Sequence, residues 1–195
     1  MSKRTTYLAA AIVGALFATS AMVPAFAQDK MKGEKTVMVG GAPMFPSKNI
    51  VQNAVNSKDH TTLVAAVKAA GLVDTLQSAG PFTVFAPVNA AFAKLPAGTV
   101  DTLLKPENKG TLTTVLTYHV VPGRLTATNL MKAVKDGGGM AKFKTVEGDE
   151  LTVKQPSAGK LTITDTKGDV ASVTIGDVLQ SNGVIHVVDT VLLPG

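Results

Sequence analysis

Three histidines, His60, His119 and His186, are the side chains of this sequence best suited to acid–base or metal chemistry. None forms an H-x-H or an i, i+4 pair with another, the spacings that place two imidazoles on one metal ion. His186 alternates with valines in an apolar run, which predicts a hydrogen-bonded structural histidine on a central strand. His119 stands near a predicted helix end, where it can bond free carbonyls, and His60, at a predicted helix start, is expected to be solvated. The histidines therefore predict neither a metal site nor a cofactor.

The other residue types give no catalytic pattern. The chain has no cysteine, which excludes disulfides, thiol catalysis and thiolate metal ligands. No serine lies in a G-x-S-x-G sequence, and the glycine run at 137–139 lacks the Lys-Ser/Thr that follows a phosphate-binding loop. Four carboxylates lie near predicted strand ends, where turn capping explains them: Asp165, Asp169, Asp177 and Asp189. We therefore do not expect an enzyme.

The N-terminus has the pattern of an export signal. Lys3 and Arg4 precede an apolar stretch over 8–18, and Ala-Phe-Ala at 25–27 gives the small-x-small pattern that signal peptidase reads. This predicts a signal peptide over 1–27, cleaved after Ala27, and a secreted or periplasmic protein without stable membrane insertion. The alternative is an uncleaved anchor, since residues 8–27 are nearly long enough to span a bilayer.

Size and charge describe what remains after cleavage. Residues 28–195 suit one domain with a single core. Without Lys3 and Arg4, 17 basic residues face 14 acidic ones, so the net charge falls from +5 to +3. The basic residues are scattered and aromatic residues are few, which argues against nucleic-acid binding.

Helical patterns fill the first half of the chain and strand patterns the second. Residues 28–47 contain Gly and Pro pairs that suggest a flexible extended arm, which leaves 48–195 as the folded domain. Apolar residues at three- and four-residue spacing predict a helix from Asp59 or Thr61, broken near Gly71. After residue 140, five β-rich stretches alternate with turn sequences. This order predicts an α+β fold.

The segment 82–92 joins the two halves. Phe82, with the residues two and four beyond it, falls on one side of an extended strand, and Phe85 falls on the other. Pro87 has no N–H and stops the strand, and Asn89 is expected to cap the helix that contains Phe92.

Three blocks in this order resemble the signature of the fasciclin-like domain. The first is the Phe-Thr-Val-Phe-Ala-Pro-Val-Asn-Ala-Ala-Phe sequence at 82–92, and the second is the pair Tyr118-His119. The third runs from Asn182-Gly183 through His186 to Asp189 and the final leucines. One departure is Val88, where the family usually has a hydroxyl residue before the asparagine. Compact domains of this kind behind a signal peptide are similar to bacterial secreted members.

The resemblance implies a wedge-shaped β-sandwich with several helices packed on one side. It also implies a non-catalytic adhesion module that binds a cell-surface or matrix protein or polysaccharide. Carried over to this sequence, the partner-binding residues are Tyr118, His119, Leu116, Val120 and Val121. Some members of the family resembled bind carotenoids, so the alternative function is a carrier of an apolar molecule such as a carotenoid or lipid. Methionines Met44, Met131 and Met140 are the residue type suited to such a groove.

Overall fold

The computed structural model describes residues 34–195. Within them, the helices lie mostly in the first half of the chain: α1 Ile50–Ala54, α2 Thr61–Ala70, α3 Val73–Gln77, α4 Asn89–Ala93, α5 Thr99–Leu103, α6 Lys109–Tyr118 and α7 Ala127–Asp136. The strands lie mostly in the second half: β1 Val37–Val39, β2 Ala42–Met44, β3 Phe82–Pro87, β4 Val120–Pro122, β5 Met140–Lys144, β6 Glu150–Ser157, β7 Lys160–Thr164, β8 Val170–Gln180 and β9 Gly183–Val188. The predicted α+β class is confirmed.

Seven of the strands form one sheet in the order β4-β3-β9-β8-β7-β6-β5. β3 pairs in parallel with β9 and antiparallel with β4. The earliest strand of this sheet along the chain therefore lies next to the latest one. Just beyond β5, the Val146 N–H donates to the Val120 carbonyl of β4 over 2.8 Å. The two ends of the sheet therefore approach each other, and the sheet curls into a nearly closed barrel.

Two apolar cores lie on opposite faces of β3. Val84 and Ala86 belong to the core between the sheet and the helices, which also contains Leu63 and Leu116. Phe85 belongs to the core inside the curled sheet, and helix α7 covers that core with Leu130 and Val134. The predicted alternation of this strand is confirmed, and it is what allows one strand to serve two cores.

Residues 37–44 differ from the prediction of an extended arm. They form the hairpin β1–β2, turned by Gly40 and Gly41, which both have positive φ. Val39 and Met44 are buried in the helix-side core. The physical reason is that two glycines flanked by apolar residues suit a two-residue hairpin turn better than an open chain. The predicted signal peptide over 1–27, and residues 28–33 of the predicted arm, lie outside the described residues.

One helix end agrees with the sequence pattern, and one strand end does not. Gly71 adopts a left-handed conformation with φ +73° and ends α2, and α3 begins two residues later, as predicted. Strand β9, in contrast, ends at Val188 rather than continuing to residue 192. It ends there because Asp189 turns its backbone and side chain toward Ser172.

Candidate functional site

The predicted partner-binding residues lie where helix α6 passes into strand β4. Leu116 and Val120 face the helix-side core, while Tyr118 and Val121 face the core inside the sheet. His119, between them, is also buried. The five side chains therefore spread over both cores instead of forming one exposed patch.

Tyr118 acts as a joint between the helix and two loops. Its hydroxyl donates to the Glu150 carbonyl over 3.3 Å and accepts from the Thr166 N–H over 3.1 Å. Burial raises the pKa of the phenol, and the hydrogen bond from Thr166 partly opposes this. The hydroxyl is thus fully used in holding backbone groups together.

His119 is bound on both sides of its ring. Nδ1 donates to the Val115 carbonyl over 2.8 Å, and Nε2 accepts from the Leu192 N–H over 3.0 Å. These two contacts require the neutral imidazole with its proton on Nδ1. Burial lowers the pKa of His119 from 6.5 to about 4, against smaller opposing effects of the Val115 carbonyl and Asp165. The ring links helix α6 to the C-terminal segment.

The placement of these residues bears on how a partner could be bound. Their side chains are buried, so direct contact with a partner would require the segment 116–121 to move. Partner binding through them stays a prediction. One exposed residue next to the segment is Val146, which is 43% exposed and is hydrogen-bonded through its backbone to Val120.

The C-terminal block predicted as a structural motif is buried and bonded. Asn182 is buried, and its amide donates to the carbonyls of Leu76 and Ser78 at the end of α3 and accepts from the Ile50 N–H at the start of α1. Gly183 lies so close to β3 that an added Cβ would stand 2.1 Å from the Phe82 carbonyl oxygen. These two residues fasten two helices to the parallel strand pair.

His186 and Asp189 also bind backbone groups of the domain. The Nε2 of His186 contacts the Leu125 carbonyl over 2.8 Å, and its ring stacks on Phe85 with 5.8 Å between centroids. Asp189 accepts from the Ser172 N–H over 2.8 Å. Burial lowers the pKa of His186, against smaller opposing effects of the Leu125 carbonyl and Asp177. The ring of His186 is thus buried and hydrogen-bonded within the domain.

The prediction that Asn89 caps the helix containing Phe92 was wrong. Asn89 is the first residue of α4 rather than its cap, and Val88 occupies the cap position without a side-chain bond. The Asn89 amide instead accepts from the Thr62 N–H and donates to the Lys58 carbonyl, over 3.0 and 2.8 Å. It therefore caps α2, a different helix, because α4 packs beside the start of that helix. Phe85, Pro87 and Phe92 of the same block are buried, and Phe82 is half-buried.

A cavity of about 80 Å³ lies between the helices and the sheet. Its wall is almost wholly apolar and comes from α1, α2, α3, α6, β3 and β9, with Val39 and Met44 of the hairpin. Leu116, His119 and Val120 contribute to it, so the predicted segment forms part of this wall. The wall reaches the surface at Lys68, Thr75 and Val146.

His60, expected to be solvated, is buried in the wall of this cavity. Its Nδ1 lies 2.9 Å from the Ser57 hydroxyl oxygen, and Nε2 has no hydrogen-bond partner among residues 34–195. Burial lowers the pKa of His60, against smaller opposing effects of the Ala86 carbonyl and Asp59. The prediction was wrong because the ring lies under the hairpin and helix α1, contacts that no local sequence pattern specifies.

A family model for the fasciclin domain matches residues 58–194. The chain belongs to the fasciclin domain family. Protein sll1483 of Synechocystis sp. is 47% identical over 161 residues, which are 83% of this chain and 82% of that protein. Cell surface glycolipoprotein MPB83 of Mycobacterium bovis is 39% identical over 123 residues, which are 63% of this chain and 48% of that protein.

The fold of this fasciclin domain has a counterpart among solved structures. A FAS1 domain pair from the insect cell adhesion molecule Fasciclin I superposes with a TM-score of 0.68 at 19% sequence identity. The match covers 82% of this chain and 58% of the other. The fold predicted from the three sequence blocks is therefore confirmed.

Two further properties concern only residues 34–195 of this fasciclin domain. No group of three or more His, Asp or Glu side chains there is placed to hold a metal ion. No helix in the same range is long and apolar enough to cross a membrane.

Proposed function

We propose that this fasciclin domain is an exported, non-catalytic attachment module that binds a cell-surface or matrix protein or polysaccharide. The observation that carries the proposal is that the side chains best suited to catalysis are already hydrogen-bonded within the domain. His119, His186, Asp165 and Asp189 all bind backbone groups of the domain itself. A scaffold whose buried polar groups are used in this way leaves its outer surface as the means of recognition.

The family supports the same reading. The solved FAS1 pair comes from an adhesion molecule, and MPB83 is named as a cell-surface protein. The export signal predicted over 1–27 would bring this chain to the same side of a membrane.

We place the contact surface around Val146. This valine is exposed, is hydrogen-bonded to Val120 and lines the cavity together with the half-buried Thr117. In this arrangement Tyr118 and His119 position the surface from beneath, and an exposed apolar side chain supplies contact area.

A matched pair of variants tests this placement. Val146→Ser should weaken binding of the purified protein to intact cells and cell-envelope polysaccharide about fivefold, the effect of losing one apolar contact. Val170→Ser is the control, since Val170 is 52% exposed at the far start of β8. Equal losses in both variants, with unchanged circular dichroism, would remove the contact surface from Val146. No binding of the unmodified protein to any of these surfaces would overturn the attachment function.

The cavity favours a second candidate, a carrier of an apolar small molecule. An apolar cavity that reaches the surface is the common form of a small-molecule site. Native mass spectrometry of protein purified from its exporting cells tests this candidate. A bound mass released on denaturation would support it, and protein that stays empty after incubation with apolar ligands would refute it.

A further inference from the structure

We propose that the cavity binds apolar molecules carrying one neutral hydroxyl group, and that His60 is the polar contact for that hydroxyl. This inference rests on the second candidate function, the carrier, and names the chemical class of its ligand.

The three buried histidines of the described chain differ in one respect. His119 and His186 each use both ring nitrogens on backbone groups. His60 uses only Nδ1, on Ser57. Among the buried side-chain nitrogens and oxygens of residues 34–195, Nε2 of His60 alone makes no full hydrogen bond, although the nearby Ala86 carbonyl opposes the lowering of the His60 pKa. A buried polar atom without a hydrogen bond costs free energy, so its presence calls for an explanation.

The surroundings of His60 supply that explanation. The ring is 3% exposed and forms part of the cavity wall, next to apolar side chains of α1 and α2. Water would be held poorly in a cavity with such a wall, because a buried water needs several polar partners. A ligand with an apolar body and one hydrogen-bonding group fits both the wall and the free nitrogen.

The free nitrogen also restricts the ligand's polar group. The imidazole proton can stand on either nitrogen, because the Ser57 hydroxyl can donate to Nδ1 or accept from it. A hydroxyl satisfies Nε2 in both cases. A carboxylate is less suited to this position, since burial lowers the pKa of His60 and keeps the ring uncharged.

The volume limits how much of the ligand enters. A cavity for one buried water has a volume of about 10–15 Å³. The cavity of about 80 Å³ therefore holds a group of about six heavy atoms. That is the size of one small ring. A longer molecule would extend outward past Val146, where the wall reaches the surface.

Phenol and toluene are the probes that test this inference, since they differ only in hydroxyl against methyl. We expect both to shift amide signals of cavity residues in nuclear magnetic resonance titrations, with phenol bound about fivefold tighter. In His60→Leu the preference for phenol should fall to about one or below, because its hydroxyl then lacks a partner, while toluene binding is kept. The ring nitrogen signals of the unmodified protein give a readout that needs no variant: Nε2 of His60 should shift with phenol and not with toluene.

The outcomes separate the inference from the carrier function. Equal affinities for phenol and toluene, with no change at Nε2, would overturn the role of His60 while leaving an apolar carrier in place. Failure of both probes to perturb the cavity residues would overturn the site itself. Phenol shifts confined to the protein exterior would have the same meaning.

Discussion

Acid should destabilise this domain through His119. The neutral ring donates to Val115 and accepts from Leu192, and its pKa is lowered from 6.5 to about 4. Protonation puts a second N–H against the Leu192 N–H, and this contact turns from attractive to repulsive. Between the two pKa values the unfolded chain binds more protons than the folded one, so stability is complete above the unfolded value and falls as the pH drops towards 4.

The size of this loss follows from the shift. One pKa unit corresponds to about 1.4 kcal/mol, so a shift of about 2.5 units is worth about 3 kcal/mol at its limit. The ring is fully buried, and solvent screening does not reduce this figure. By about pH 4.5, roughly 2 to 3 kcal/mol of the unfolding free energy should be lost through His119 alone. The pKa values of His60 and His186 are also lowered by burial, and they add to the loss in the same direction.

Urea unfolding at a series of pH values measures this loss. The comparison is with His119→Gln, whose side chain keeps an acceptor but does not titrate. Between about pH 7.5 and pH 4.5 the unmodified protein should lose about 2 to 3 kcal/mol more than the variant. Losses that are equal in the two proteins would refute the assignment. If the variant does not fold, the imidazole carbon signal of His119 reports its pKa directly, and a value near 6.5 would refute it as well.

Two further predictions concern residues whose roles the structure defines. Asn89→Ala should cost about 1 kcal/mol of unfolding free energy because it uncaps α2, whereas Asn56→Ala, which removes one exposed bond to Gln52, should cost less than about half of that. Chemical denaturation that finds the two costs equal would contradict the capping role. Gly183→Ala should cost about 3 kcal/mol, because its Cβ would meet the Phe82 carbonyl oxygen. Gly110→Ala, in helix α6 with open space around it, should instead stabilise the domain by about 0.5–1 kcal/mol and raise its melting temperature. Effects of the same sign in the two variants would contradict the different roles given to the two glycines.

Local patterns were sufficient where the partner of a residue lies nearby in sequence or on the same strand. The alternation of Phe82, Val84 and Phe85 is a property of one extended segment, and the two cores follow it. Gly71 ends a helix because only its own backbone conformation is involved. The fold class follows from the order of such segments.

Two elements that were not predicted carry recognisable sequence signals. The hairpin over 37–44 has Gly-Gly between apolar residues, which is a turn signal as well as a sign of flexibility. Helix α7 begins with a capping box of Thr126 and Asn129 and carries Leu130 and Val134 four residues apart. Both could be found from the sequence.

Contacts between distant residues could not be predicted in this way. Asn89 binds Thr62, 27 positions away, and the pattern around Asn89 is equally compatible with capping its own helix. His60 looks like an exposed helix-start residue, and only the packing of the hairpin and α1 buries it. The candidate cavity depends on the same packing, so the sequence contains its lining residues without indicating that they meet.

The burial of Tyr118 and His119 changes where recognition in this domain is expected. Had their side chains been exposed, they would serve as contact residues, and their loss would affect binding with little effect on stability. Because both are bonded to backbone groups of distant segments, their loss acts first on the shape of the domain. We then expect a partner to contact exposed residues whose positions depend on Tyr118 and His119. Val146 is such a residue and also lines the cavity, so the proposed surface for a partner and the proposed entrance for a ligand share one exposed residue.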